Sequence, residues 1–201
     1  MMGEQRTAEE KKRLRREMLA RRDRMEPAKA EELNWRLWEQ MERCQQLWSG
    51  LPVYTYISYR READTRRLVR ELWKRGIPVA APRAKDGRME FYRIRSESDL
   101  TAGYRGIPEP VCGCEKASKE RALVIVPGAV FDLQGYRIGY GGGYYDRFMA
   151  REPGHETLGL AYDFQVIPRL PMEEYDLPVG RILTTSGLVK CGSGPEIDLK
   201  R

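Results

Sequence analysis

The chain has 201 residues, 36 basic and 30 acidic, for a net charge of +6, and 27 of the basic residues are arginines. It has one histidine, His155. That single imidazole excludes mechanisms needing two histidines and His-rich zinc sites, and it excludes a Ser-His-Asp triad unless His155 is the base.

Residues 8–46 read as helical. Thr7 and Glu10 have capping-box spacing, and Leu14, Met18 and Leu19 recur at helical intervals. Pro27 ends this helix or starts the next. Leu33, Leu37 and Met41, with Trp38 and Trp48, form a second amphipathic stripe.

A strand is expected over residues 53–57, then a helix through Leu68, Val69 and Leu72 closing at Gly76. A short strand over 77–81 ends at Pro82, which makes a βαβ unit. Residues 83–121 are mixed, with an edge strand or hairpin over 89–94 and a turn-rich stretch over 103–110. Residues 122–126 are apolar and β-branched, as a buried parallel strand should be. Further strands are expected at 158–161 and 182–185. The polar stretch 192–201 reads as a tail on a single domain spanning 1–191.

No run approaches the ~20 apolar residues of a membrane span, and residues 1–10 lack the apolar core of a secretory signal. A cytoplasmic protein is therefore expected, with Cys44, Cys112, Cys114 and Cys191 as free thiols. Cys112 and Cys114 are too close for the usual metal-binding knuckle.

The chemistry concentrates in residues 137–146. Gly139, Gly141, Gly142 and Gly143 crowd together just before a helix. Glycines admit positive φ and let a ligand approach backbone amides closely. Such amides at a helix N-terminus make an anion site, and a strand's carboxyl end is where open α/β sheets bind ligands. No Gly-Lys-Ser/Thr follows, so this is not a Walker loop. Arg137 can meet phosphate oxygens, and Asp146 can hold Mg²⁺ or its water shell.

The run Val126-Pro-Gly-Ala-Val-Phe-Asp132, with Gly135-x-Arg137-x-Gly139-x-Gly-x-Gly-Tyr-Tyr-Asp146, resembles the 5-formyltetrahydrofolate cyclo-ligase family. In the same order, Lys11-x-x-Leu14-Arg15, Ser58-x-x-x-Glu62-x-x-Thr65, Gly106-Ile-Pro-Glu-Pro110, Leu158-Gly-Leu-Ala and Gln165 also resemble it. The resemblance covers nearly the whole chain.

It implies a three-layer α/β sandwich with a mostly parallel, Rossmann-like open sheet and helices on both faces. It implies ring closure of 5-formyltetrahydrofolate to the 5,10-methenyl form, with ATP as co-substrate and Mg²⁺ as metal. Lys11, Arg15, Arg137, Gly139, Tyr140, Gly141, Gly142, Gly143, Tyr144 and Tyr145 would contact ATP. Ile57, Glu62, Tyr140 and Tyr144 would face the folate, and Asp146 and Asp176 would hold the metal. Tyr175 and Gly180 depart from the family's metal-side pattern, and Tyr140 stands where some relatives carry a basic residue.

No nucleic-acid, membrane or obligate protein partner is expected, and the chain is expected to be a monomer. The rival readings are an arginine-rich nucleic-acid-binding protein and a sugar-phosphate-binding α/β module. Both leave the ordered set of motifs unexplained. His155, outside every motif, reads as a surface residue of the Pro153-Gly154-His155 turn.

Overall fold

The computed structural model describes residues 2–103, 106–118 and 121–192. Of the polar tail expected over 192–201, only Gly192 falls among them. In chain order the elements are helices α1 (Met2–Asp23) and α2 (Pro27–Arg43), strand β1 (Val53–Thr55), helix α3 (Arg66–Lys74) and strands β2 (Val79–Lys85) and β3 (Arg88–Ile94). Then come β4 (Leu100–Ala102), β5 (Pro108–Pro110), β6 (Leu123–Val126), β7 (Val130–Asp132), β8 (Arg137–Ile138) and helix α4 (Tyr144–Arg151). Strands β9 (Glu156–Leu160), β10 (Val166–Ile167), β11 (Arg181–Leu183) and β12 (Leu188–Lys190) complete the chain.

Seven strands form the main sheet in the order β12-β11-β9-β6-β1-β2-β3. The five inner strands run parallel, while β3 and β12 close the two edges antiparallel. All four residues of β6 are fully buried, as its unbroken apolar run requires of a strand covered on both faces. Leu123 and Ile125 face α2 and α3, packing with Leu37, Met41, Leu68 and Leu72. Val124 and Val126 face the opposite layer, where Phe131 and α4 residues Phe148 and Met149 cover them. The three-layer α/β sandwich expected from the sequence is therefore present.

A small sheet, ordered β10-β7-β8, lies outside those layers. Helix α1 packs Leu14, Met18 and Leu19 on it, against Ala129, Val130, Ile138 and Leu170. No strand was expected at any of these three short segments. Each has two or three residues, too few for an alternation to register.

From β1 the chain crosses through α3 to β2 on one side, and from β6 it continues to β9 on the other. The connections diverge between β1 and β6, and open α/β sheets bind ligands in the crevice at that switch point.

Four local expectations are corrected. Thr7 does not cap α1, because the helix already runs from Met2. The first strand stops at Thr55, and Tyr56 and Ile57 continue as buried, non-ladder chain. Pro82 does not end β2, which pairs with β3 as far as Lys85. Pairing with β1 stops at Ala80, so one side of the backbone is free of a neighbour at Pro82, where the missing N–H is tolerated.

His155 is the fourth, and it is not a surface residue. Its side chain is 4% exposed and stacks on Phe148 with ring centroids 5.6 Å apart. Its Nδ1 accepts the Ala122 N–H at 3.1 Å, tying the turn to the entrance of β6.

Two motif residues are structural struts for the region that follows β6. The fully buried Asp132 accepts the N–H groups of Gln134, Tyr136 and Leu170 at 2.9–3.0 Å, which shapes the β7–β8 turn. Gln165 donates to the carbonyls of Gly128 and Ala129 and accepts from Tyr162 N–H. Within the β7–β8 turn, Gly135 has φ +93°, and a Cβ there would lie 2.3 Å from the Val179 carbonyl oxygen. Gly135→Ala is therefore expected to cost more than about 2 kcal/mol, read as a lower urea unfolding midpoint, because strain and a backbone clash coincide.

Candidate active site

Three segments meet at the switch point: the chain after β1, the loop from β8 to α4, and one face of α1. Gly143 is the N-cap of α4 with φ +60°, and no side chain caps the helix. Its first N–H groups are available to an anion, which the helix dipole favours. Gly141 has φ +104°, a conformation that glycine takes at no steric cost.

Helix α1 supplies cations to this loop. Arg15 Nε donates to the Gly139 carbonyl at 2.7 Å, so its guanidinium lies beside the loop. Lys11 is only 9% exposed; its Nζ donates to Asp176 Oδ2 and, at 2.8 Å, to Glu173 Oε2. The four-residue spacing puts Lys11 and Arg15 on one helix face, as expected.

The two aspartates converge from different elements. Asp146, in the first turn of α4, accepts Leu177 N–H on Oδ1 at 3.3 Å. The same oxygen takes Nη1 of the buried Arg137 at 3.1 Å, and that nitrogen also reaches the Leu177 carbonyl. Asp176, immediately before Leu177, also accepts Glu173 N–H. Arg137 is 7% exposed and its Nε has no partner among the described residues, so its hydrogen bonds hold Asp146 and the Leu177 carbonyl.

Among the described residues, no three His, Cys, Asp or Glu side chains cluster as a metal cage. Two carboxylates fit Mg²⁺ nonetheless, since that ion usually takes one or two protein carboxylates plus water and substrate phosphates. Tyr175, the departure beside Asp176, is 81% exposed and leaves Asp176's contacts undisturbed.

The segment after β1 is organised around Glu62. Glu62 Oε2 accepts Tyr59 N–H at 2.9 Å, which fixes the carboxylate within its own turn. Ser58 Oγ donates to Asp64, and Thr65 Oγ1 accepts Ser58 N–H and donates to the Tyr56 carbonyl. This web is the physical content of the Ser58-x-x-x-Glu62-x-x-Thr65 pattern. Ile57 is buried in the core beneath it.

Phenols surround Glu62. Burial first, and the Glu62 carboxylate second, push the hydroxyls of Tyr56, Tyr140 and Tyr145 well above the usual phenol range. Tyr162 donates to Asn34 and to the Glu62 carbonyl, and burial pushes it up to about 12. All four are neutral hydroxyls near pH 7, offering hydrogen bonds without added charge. The Tyr145 hydroxyl is buried with no partner. Tyr144 stands at the first position of α4, packed against the core and under the Arg147 guanidinium.

One residue of this region was not singled out in the sequence. Arg22 on α1 is only 6% exposed and its Nη1 donates to Tyr140 Oη at 2.7 Å. Spacing held the signal: Arg22 follows Arg15 by seven residues, two turns along the same face.

A crevice at the switch point of an open parallel sheet, with a capless helix, a glycine loop and basic groups from a separate helix, defines a class. It is an open, mostly parallel α/β protein whose glycine loop and uncapped helix N-terminus lie beside basic groups from a separate helix. The 5-formyltetrahydrofolate cyclo-ligase family profile matches residues 7–185, and the chain belongs to that family. It is 32% identical over 142 residues to the 5-formyltetrahydrofolate cyclo-ligase of Escherichia coli K12, covering 67% of this chain and 78% of that one. To the mouse protein of the same name it is 28% identical over 145 residues, covering 65% and 71%.

Among solved structures, the 5,10-methenyltetrahydrofolate synthetase of Aquifex aeolicus superposes with a TM-score of 0.80 at 32% identity, covering 92% of this chain and 94% of that one. The Mycoplasma pneumoniae synthetase shares the fold at 17% identity, with a TM-score of 0.69 and coverage of 86% and 97%. The chain is thus an enzyme of the ligase class acting in folate metabolism. No helix among the described residues is long and apolar enough to cross a membrane.

Proposed function

We propose that this chain closes 5-formyltetrahydrofolate to 5,10-methenyltetrahydrofolate at the cost of ATP, as a monomer with no obligate protein partner and no nucleic-acid substrate. The observation that carries the reading is the bond from Arg15 to the Gly139 carbonyl, which joins the basic face of α1 to the glycine loop. A flexible turn would not need a guanidinium brought in from 124 residues away. A charged surface for RNA would leave the arginines free, whereas Arg13 is already paired with Glu10 and Glu17.

The chemical difficulty is the formamide, a weak electrophile whose oxygen is a poor leaving group. In the proposed sequence the formyl oxygen bonds to the γ-phosphorus of ATP, and the bridging P–O bond breaks to release ADP. N10 then attacks the activated formyl carbon. The ring closes as the C–O bond to phosphate breaks and N10 gives up its proton. Such a reaction is driven by placement and charge stabilisation, so one structural histidine is no handicap.

The chain's residues divide the task. The amides of 139–145 and the N-terminus of α4 cradle the phosphates. Lys11 and Arg15 neutralise them from α1, with Lys11 exchanging its carboxylate partners for phosphate oxygens. Arg137 holds Asp146 in place by the buried bond described above. Asp146 and Asp176 would hold Mg²⁺, which when bound would supply charge neutralisation on the phosphates. Glu62 reads the amino-pyrimidine edge of the pterin, a match for two parallel hydrogen bonds. Ile57, Tyr140 and Tyr144 bound that pocket, and water exclusion there strengthens each polar contact.

The test follows methenyl absorbance with 5-formyltetrahydrofolate, ATP and Mg²⁺ together, then with each omitted. Turnover is expected only in the complete mixture. Equal turnover without ATP, or none with all three, rejects the reading. Tight RNA binding that falls steeply with added salt, with no folate-dependent ATP turnover, would favour the nucleic-acid alternative.

A further inference from the structure

Arg22 poses a problem that the nucleotide loop does not solve. Its residue surface is 6% exposed, yet it has no carboxylate within ion-pair distance among the described residues. Its Nε is buried without a partner among the described residues. A buried guanidinium lacking a direct counter-charge is expensive, and a fold retains one where its position is used.

The direction of its one strong bond is informative. A guanidinium only donates, so at 2.7 Å the Tyr140 oxygen must accept from Arg22 Nη1. The Tyr140 proton is then free to turn elsewhere, and the Glu62 carboxylate lies near enough to help burial push that hydroxyl up. The hydrogen bond runs from Arg22 to Tyr140, and Glu62 stands on the same side of the site. Arg22 also attracts Glu62 at longer range.

Position on α1 adds a second argument. At about 100° per residue, Lys11, Arg15 and Arg22 fall within a stripe roughly 40° wide. The first two meet acids and the glycine loop; the third reaches around to the Glu62 side. One rigid helix therefore touches both halves of the crevice. Tyr140 stands between them, the residue 47% exposed and its hydroxyl held by Arg22.

We infer that Arg22 is a positioning residue for the folate substrate. By its bond to the Tyr140 hydroxyl it fixes the ring that walls the pocket beside Glu62, and it makes α1 the strut linking the two ligand sites. This rests on the proposed assignment of Glu62 and Tyr140 to the folate side. Arg22 does not touch the reacting atoms.

The test compares Arg22→Met, Arg22→Lys, Tyr140→Phe and the Arg22→Met/Tyr140→Phe double variant. Initial rates give KM for 5-formyltetrahydrofolate, KM for ATP and kcat, and thermal unfolding gives Tm. Arg22→Met is expected to raise the folate KM about tenfold, as loss of a charge-assisted hydrogen bond does, with the ATP KM changed less than about twofold. Arg22→Lys should recover part of that loss.

Tyr140→Phe removes only a hydroxyl from a half-exposed ring, so it reports even if Arg22→Met folds poorly. It should reproduce the folate KM effect. The double variant should be no worse than the poorer single one, since both break the same bond. An unchanged folate KM in Arg22→Met or Tyr140→Phe overturns the inference, as do fully additive effects. So does a fall in kcat and Tm with both KM values preserved. Wild-type protein that neither binds nor turns over 5-formyltetrahydrofolate overturns the underlying reading, and the inference with it.

Discussion

Asp146→Asn is expected to lower kcat by about two to three orders of magnitude, the scale seen when one fixed electrostatic group is removed from a transition state. The amide keeps an oxygen where Oδ1 stands, so it can still accept from Arg137 Nη1 and Leu177 N–H. What it loses is the negative charge, which both Mg²⁺ and the buried guanidinium of Arg137 require. The cost to stability is expected to be about 1 kcal/mol, because the carboxylate is 25% exposed and partly screened. Activity and unfolding therefore separate. The check is kcat against Mg²⁺ concentration, beside a urea unfolding curve. Wild-type turnover at ordinary Mg²⁺ would remove Asp146 from the metal site. A collapse of folding equal to the loss of rate would make its role structural.

Gly141→Val is expected to weaken ATP binding by about a hundredfold, on the scale of a small misplacement of a positioning element. The residue has φ +104°, and a Cβ there would lie 3.8–3.9 Å from the Arg15 guanidinium. Space alone would admit a Cβ. The backbone conformation would not, and a β-branched side chain suffers most in it. Relaxing the strain moves the amides that face the phosphates and pushes on Arg15. The strain itself is worth about 1–3 kcal/mol. Calorimetric titration with ATP measures the affinity, and Gly141→Ala serves as the milder companion. Affinity equal to wild type in Gly141→Val would reject the cradle.

Much of the architecture is legible in the residues because it depends on local period. An unbroken apolar run such as 123–126 can only be a strand covered on both faces. The stripe of Leu68, Val69 and Leu72 announces α3, and the glycines of 139–143 announce a loop where backbone must approach a ligand. The strands of the small sheet are not legible. At two or three residues they exist only because Asp132, Gln165 and α1 hold them. Pro82 misleads for a related reason, since its cost depends on whether a neighbouring strand is still present.

The candidate site divides in the same way. Lys11 and Arg15 share one face of α1, as their four-residue spacing requires, and Arg15 reaches the glycine loop. That Arg137 grips Asp146, that Lys11 rests on Glu173 and Asp176, and that Glu62 sits among neutral phenols depend on partners far along the chain. No residue period encodes a partner 165 positions away.

The opening counts end with sharper meaning. By itself the sequence determined the chemical repertoire: one imidazole, a surplus of guanidinium groups, a glycine loop after a buried strand and an aspartate, Asp146, closing that loop. Those are properties of residue type and local order. Only the tertiary structure decided which groups leave water. Arg13 and Arg22 lie nine residues apart on one helix, and the first is an exposed partner of glutamates while the second is buried against Tyr140. His155, outwardly a turn residue, became an acceptor for the β6 entrance. A charge or an imidazole takes its role from the dielectric and the partner it meets, and both are set by elements that only packing brings together.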